Sequence, residues 1–221
     1  MVSYQYTYLL MGVIFAVLWA ILFIWRKDTR KEMLLMSGIF GFAGPIADLL
    51  YTIDWWNPLT LSGTRIGFEA FFVGFVIGGV SAVIYEDIFK KRVKIRKISK
   101  VEDEIKNLNF GLFIGLALVL FFSLFFFGLN SFQSTILSLL IPTLIIWYKR
   151  KDLILDSIFT GIILVFVAST VYTILEFLTP GWIQSFWLFE NVPNIIILNL
   201  PIDDIIWYFL AGMFIGPLYE Y

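Results

Sequence analysis

Two adjacent carboxylates, Asp203 and Asp204, stand at the entrance of the last apolar stretch, in the run Leu200-Pro201-Ile202-Asp203-Asp204-Ile205-Ile206-Trp207. A carboxylic acid in an apolar setting can give a proton to a carbon–carbon double bond, and a neighbouring carboxylate can take one back. On a helix, Trp207 falls on the face of Asp203 and Phe214 continues it, so an acid is followed by aromatic rings that could stabilise a cation by cation–π attraction. Capping offers a structural alternative, since proline suits a first helical turn and an acid there complements the free N–H groups. It does not extend to Asp48 and Glu176, which approach the C-terminal ends of their segments, where the dipole disfavours negative charge.

Composition removes most other chemistry. With no cysteine and no histidine, the chain can form no disulfide, thiol nucleophile or Cys-ligated metal site. Histidine boxes, His-ligated haem and Ser-His-Asp catalysis are excluded with them. Every lysine lies outside the apolar runs, so no retinal Schiff base can form. Asp203-Asp204 is a single short pair where polyprenyl transferases need two Asp-rich motifs for magnesium and diphosphate. No Gly-x-Gly-x-x-Gly joins a strand to a helix, as a dinucleotide site would require. Proton chemistry by carboxylates fits what remains, and no cofactor and no metal are expected. The net charge of −1 hides strong segregation and says nothing about nucleic acid, and no nucleic-acid partner is expected.

These acids must be positioned by membrane helices. The 221 residues are 60% hydrophobic, mean hydropathy is +0.88, and long uncharged runs alternate with short charged clusters. Runs of about 20 apolar residues match the bilayer core as helices. The sequence predicts an all-α, polytopic bundle of seven transmembrane helices, at about 4 to 25, 32 to 52, 64 to 86, 109 to 128, 131 to 148, 152 to 177 and 201 to 219. Basic clusters follow the first span (Arg26, Lys27, Arg30, Lys31), the third (Lys90 to Lys106) and the fifth (Lys149, Arg150, Lys151), leaving only Arg65 elsewhere. With seven spans all three clusters fall on one side, so the N-terminus is outside and the C-terminus cytoplasmic. The expected location is the cell membrane, with the first helix retained because its positive charges follow it. Val101 to Lys106 reads as a short amphipathic helix on the inner leaflet. The Trp- and Pro-bearing stretch from Thr179 to Leu200 is too broken to span and reads as an interfacial or re-entrant lid.

Several signals suggest a duplicated three-helix unit. Phe23-Ile24-Trp25, Ser37-x-x-x-Gly41, Tyr51-Thr52-Ile53 and Tyr85-Glu86 recur in order as Ile145-Ile146-Trp147, Ser157-x-x-x-Gly161, Tyr172-Thr173-Ile174 and Tyr219-Glu220. Residues 1–221 then form one transmembrane domain: a degenerate first repeat at 1–90, a cytoplasmic loop and linking helix (span four) at 91–130, and a second repeat at 131–221. Gly74-x-x-x-Gly78, Gly111-x-x-x-Gly115 and Gly212-x-x-x-Gly216 suggest close helix packing. Aligning the repeats on their Tyr-Glu ends pairs Glu69 with Asp203 and Gly67 with Pro201. Asp48, Asp54, Arg65, Glu69, Glu176, Asp203 and Asp204 all fall toward the outer side, where Arg65 is the sole cation and the expected partner of Glu69, at i and i+4, or of an acid from the other repeat. So many carboxylates beside one arginine should include at least one that keeps its proton at neutral pH. Most tryptophans on this side read as belt anchors.

Pro201-Ile202-Asp203-Asp204, the preceding Asn194 to Leu200 and the following Gly216-Pro217-Leu218-Tyr219-Glu220-Tyr221 resemble the small membrane-integral lycopene cyclases of archaea, actinobacteria and fungi. In that family a Pro-x-Glu-Glu-like run opens a helix after a Trp-rich segment; here both acids are Asp. The resemblance is clearest over about 150 to 221 and weaker over 30 to 90, where Gly67-Phe68-Glu69-Ala70 lacks the proline and the second acid. It implies cofactor-independent, acid-catalysed cyclisation of a linear carotene or other isoprenoid within the membrane. Asp203 and Asp204 would be the acid and base, Glu69 an auxiliary, and Trp207 a cation stabiliser. Phe214, Arg65, Glu176 and Asp48 complete the expected substrate-binding set. The partners implied are the lipophilic isoprenoid and membrane lipid. A small membrane carrier, or a non-catalytic lipid-binding relative, is the alternative, since intramembrane acids in repeated units also mark transport pathways.

Overall fold

A computed structural model describes residues 2–89 and 100–221, with the backbone alone for 100–109. Its long helices are α1 (Thr7–Trp25), α2 (Arg30–Asp54), α3 (Phe68–Phe89), α4 (Lys100–Phe126), α5 (Ser131–Lys149), α6 (Ile154–Leu178) and α8 (Ile202–Leu218). A five-residue helix, α7 (Trp182–Phe186), and a two-stranded hairpin, β1 (Ile196–Ile197) with β2 (Leu200–Pro201), precede α8. Single 3-10 turns at Tyr4–Tyr6 and Lys151–Leu153 extend α1 and α6 backwards.

The helices are apolar all round, and burial is inverted relative to a water-soluble bundle. Val17, Ile21 and Ile24 of α1, Phe42, Leu49 and Ile53 of α2, and Phe166 and Phe177 of α6 face outward, whereas Ser37, Ser81, Ser157 and Thr160 are buried. Such an apolar outer belt is stable only against lipid. Five helical stretches are long and apolar enough to cross a membrane: Tyr4–Trp25, Arg30–Asp54, Phe68–Phe89, Ser131–Lys149 and Lys151–Leu178. The apolar part of α4, Phe110–Phe126, is shorter, and α8 has 17 residues. The chain is a helical membrane protein.

Packing follows two similar triplets. Helix α3 packs on α1 and α2, α8 packs on α5 and α6, and α3 meets α8 at the centre of the bundle. The inner corners repeat atom for atom. Arg26 donates from Nε and Nη2 to Asp28 (2.8 and 2.7 Å) and from Nη1 to the Glu86 carbonyl (3.3 Å). Arg150 donates from Nε and Nη2 to Asp152 (2.9 and 2.7 Å) and from Nη1 to the Glu220 carbonyl (3.1 Å). Each planar guanidinium thereby ties the loop after the first helix of its triplet to the end of the third.

Two expectations need correction. Val101 to Lys106 is the first part of α4 and not a separate helix, because its helical pattern runs into the apolar run without a breaker. The lysines and arginines from 90 to 97 lie outside the described residues. Gly111 and Gly115 have no neighbour within 4 Å of a side chain built there, so their spacing serves no helix contact. The other glycine pairs do serve one. A Cβ on Gly74 would meet the Phe40 carbonyl, one on Gly44 the Ala70 carbonyl, and one on Gly212 would lie 2.6 Å from the Gly161 Cα. Gly74→Val and Gly212→Val are therefore expected to cost at least about 1–3 kcal/mol through overpacking, read as a lowered unfolding midpoint in detergent. Gly111→Ala should leave that midpoint unchanged or raise it.

Candidate functional site

The entrance of α8 is held by the segment before it. The hairpin pairs Ile196 with Pro201 and Ile197 with Leu200, and its two turn residues, Leu198 and Asn199, have φ of 54° and 60°. Both central residues of such a tight turn must be left-handed, a conformation Asn accepts and Leu resists. Contacts from α6 hold the turn: Ser169 Oγ donates to the Leu198 carbonyl (2.8 Å) and Asn199 Nδ2 donates to Thr173 Oγ1 (3.0 Å). Further back, the Asn57 and Leu188 amides donate to the Phe186 and Trp55 carbonyls (2.7 and 2.8 Å). Residues 179–200 thus form a roof sewn to the loop after α2.

Asp203 lies beneath that roof, fully buried. Its Oδ2 accepts from the indole Nε1 of Trp55, in the loop after α2, and of Trp187, in the roof (2.9 Å for Trp187). Both tryptophans are buried, so they are partners of an acid and not belt anchors. The α8 N-cap residue is Pro201, which makes no side-chain cap, and the hydrogen bonds of the two acids run to indole and phenol groups.

Adjacent helical residues diverge by about 100°, and Asp204 accordingly points elsewhere. It lines a cavity of about 240 Å³ enclosed by α1, α2, α3, α4, α5 and α8, with Tyr172 of α6 at the same end. Tyr172 donates its phenolic hydrogen to Asp204 Oδ2. Asp48 lines the cavity from α2 and accepts from Tyr8 OH at 3.1 Å. Tyr51 OH accepts from Thr135 Oγ1 (3.0 Å) and Trp207 Nε1 (3.2 Å), so α2, α5 and α8 are joined beside the acids. The remaining wall is mostly apolar, with Ser138 and Tyr208 among it, and among the described residues it contains no lysine or arginine. Space comes from small residues, Ala43, Gly44 and Ala47 on α2 and Ala70, Gly74 and Gly78 on α3.

Of the residues singled out from the sequence, Asp204, Asp48, Trp207 and Phe214 line this cavity, and Asp203 does not. The α8 face turned to it runs Asp204, Tyr208, Ala211, Ile215, with Trp207 and Phe214 alongside, one position round from the face expected through Asp203. Glu69 is buried at the start of α3, where it accepts from the Leu61 amide at 2.7 Å. Arg65 does not pair with it. Helix α3 starts only at Phe68, so no i, i+4 relation exists, and Arg65 reaches back to Thr52 Oγ1 (2.6 Å) and the Leu49 carbonyl. Glu176 accepts from the Gly181 amide at 2.9 Å and steadies the turn into the roof, where Gly181 has φ of 82°. Tyr172, Tyr51, Tyr208, Trp55 and Trp187 were not legible as site residues. The one available signal was that Tyr51 and Tyr172 occupy matching places in the two repeats.

An apolar cavity with carboxyl and phenol groups at one end and aromatic rings along its wall suits proton transfer to a hydrocarbon. Comparison with known proteins agrees with that chemistry. The family model described as lycopene cyclase matches residues 4–88 and 130–221, most of the chain. No curated protein sequence and no solved structure matches. The match gives a carotenoid cyclase-like role and a lipophilic carotenoid as the class of substrate. The chain belongs to the lycopene cyclase family.

Proposed function

We propose that this protein closes an end ring on a linear carotene within the membrane, by proton transfer from Asp204 and without a cofactor. The observation that carries this is the placement of Asp204, held by the Tyr172 hydroxyl at the head of an apolar, aromatic-walled cavity with no cation in its lining. The protonated Asp204 carboxyl gives its hydrogen to the terminal double bond, leaving a tertiary cation. The neighbouring double bond attacks that cation, forming the ring carbon–carbon bond and moving the positive charge into the ring. Loss of a ring proton to a carboxylate, Asp48 or the newly ionised Asp204, gives the β-ring. One C–H bond and one C–C bond form and one C–H bond breaks, so the reaction is an isomerisation that needs no oxidant or reductant. Trp207 lines the cavity within a turn of Asp204, where a ring face can stabilise the cation. Phe214, ten residues on from Asp204 or about 15 Å at the helical rise, lies against the remainder of the carotene chain.

Asp203 is a positioning residue in this scheme. Its Oδ2 holds the Trp55 and Trp187 indoles and so fixes the roof over α8. Glu69, Arg65 and Glu176 act further out, fixing the loops that close the outer end.

The same proposal includes seven spans, with α4 and α8 completing the five, the N-terminus outside, the C-terminus cytoplasmic, and residence in the cell membrane. At roughly 1.5 Å per residue, 17 residues lie at the short end of what spans a bilayer. Duplication of residues 1–90 and 131–221 around a linking helix is supported by the matching Arg26 and Arg150 corners and by the two stretches matched by the family model.

In cells that accumulate a linear carotene, the protein is expected to give cyclic product, and Asp204→Asn to lower ring formation by at least about 100-fold, the scale of a lost general acid. The variant should still insert and bind carotene. No cyclic product from the unaltered protein would refute the cyclase role. Asp203→Asn separates the two acids, because an amide oxygen can still accept both indole hydrogens. It should keep more than a tenth of the activity, whereas Asp203→Leu, which leaves both indoles unpaired, should lose activity together with about 1–3 kcal/mol of stability. Equal loss of ring formation in Asp203→Asn and Asp204→Asn would contradict the division of roles.

A further inference from the structure

We infer that the cavity is filled sideways from the bilayer, through a slot between α2 and α4. The inference rests on the cyclase reading only for the nature of the occupant, a linear isoprenoid hydrocarbon; the slot itself is geometric.

Both helices line the cavity, yet each packs chiefly elsewhere. Helix α2 leans on α3, and α4 leans on α5. The back wall is closed, with Ala70 and Ile77 of α3 and Ala211, Phe214 and Ile215 of α8 all buried. The residues on either side of the gap are only half-buried, Ala43 and Ala47 on α2 and Ile114, Ala117 and Leu118 on α4. Three of these five are alanines, Ala43, Ala47 and Ala117, whose side chains narrow the gap little.

The outer edge of the slot is tied shut. Asp54, the last residue of α2, accepts from the Ser131 amide (3.0 Å) and the Ser131 hydroxyl at the start of α5. One turn lower, Tyr51 accepts from Thr135 (3.0 Å) and meets the Phe121 ring edge-on at 5.7 Å between centroids. Below that lintel the α2 side of the cavity continues through Ala47 and Ala43 to Phe40, some 11 residues down α2 from Tyr51, or about 16 Å at the helical rise. Among the described residues no hydrogen bond or ring contact links α2 to α4 over that stretch. The opening therefore lies along the membrane-spanning part of the helices, about half the roughly 30 Å hydrocarbon thickness in height. It faces lipid and not water, which suits an occupant that never leaves the bilayer. A hydrocarbon admitted there reaches Asp204 end first, with the remainder of the chain passing out between α2 and α4.

The absence of native cysteine makes the test direct. The double variant Ala47→Cys, Ala117→Cys, in lipid nanodiscs, is bridged with a disulfide-cleavable bifunctional thiol reagent, bridging being read on a gel. Lycopene binding is followed by quenching of tryptophan fluorescence, since Trp55, Trp56 and Trp207 line the cavity, and ring formation is measured in parallel. Bridging is expected to slow lycopene uptake at least tenfold, and reductive cleavage in the same sample to restore it. Uptake at an unchanged rate through a formed bridge would overturn the slot. If the bridge does not form, Ala117→Trp tests the same gap by bulk: slowed uptake supports the slot and unchanged uptake overturns it. Uptake that depends on the gap, with no ring formed by the unbridged protein, would leave the slot standing and remove the cyclase reading alone.

Discussion

The structure depends on how two neighbouring carboxylates are accommodated inside an apolar bundle. A carboxylate removed from water must be hydrogen-bonded, or it costs several kcal/mol. Here the solution is divided between segments far apart in sequence. Asp203 collects the Trp55 and Trp187 indoles, which joins α8 to the loop after α2 and to the roof of residues 179–200. Because the next side chain on a helix leaves at about 100°, fixing Asp203 under the roof turns Asp204 into the cavity, where Tyr172 receives it. One acid is used to build the outer end, and the other is presented to whatever fills the space.

The two triplets give this arrangement a further logic. Under the proposed duplication Glu69 corresponds to Asp203 and Ala70 to Asp204. Glu69, like Asp203, is buried at the start of its helix and holds a neighbouring loop, through the Leu61 amide. Ala70, like Asp204, lines the cavity, but with a methyl group. The organising acid is kept in both halves while the exposed acid is kept in one. The first half instead contributes room, since Gly44, Gly74 and Gly78 bring α2 and α3 together and Ala43, Ala47 and Ala70 leave the space beside them open. Asp48 then supplies the first half's carboxyl from a different helix.

Much of this was legible in the sequence. Long apolar runs carry their own signal, so the seven long helices follow from hydropathy, and the paired acids from Asp203-Asp204 alone. Four things were not legible, each for a physical reason. A helix periodicity says which residues share a face but not which face looks inward, so Asp203 and Asp204 could not be assigned to roof and cavity. A tryptophan near a membrane interface has the same sequence context whether it sits in lipid or donates to a buried acid, which hid Trp55 and Trp187. The Arg65–Glu69 pairing failed because helix starts are blurred in an apolar run, and Arg65 lies before the first turn of α3. The hairpin at 196–201 was hidden for a related reason: Leu198 at positive φ has no local signal and is held there by α6.

The central claim is that a protein acid, and not a bound group, starts ring closure by giving a proton to carbon. It is tested most directly by running the purified protein on lycopene in deuterated water and weighing the cyclic product. Transfer from an exchangeable carboxyl requires one solvent deuteron on carbon for every ring formed, and Asp204→Asn should cut the yield of that deuterated product at least about 100-fold. Cyclic product that carries no deuterium, or an undiminished yield of deuterated product from the Asp204→Asn protein, would contradict proton donation by Asp204.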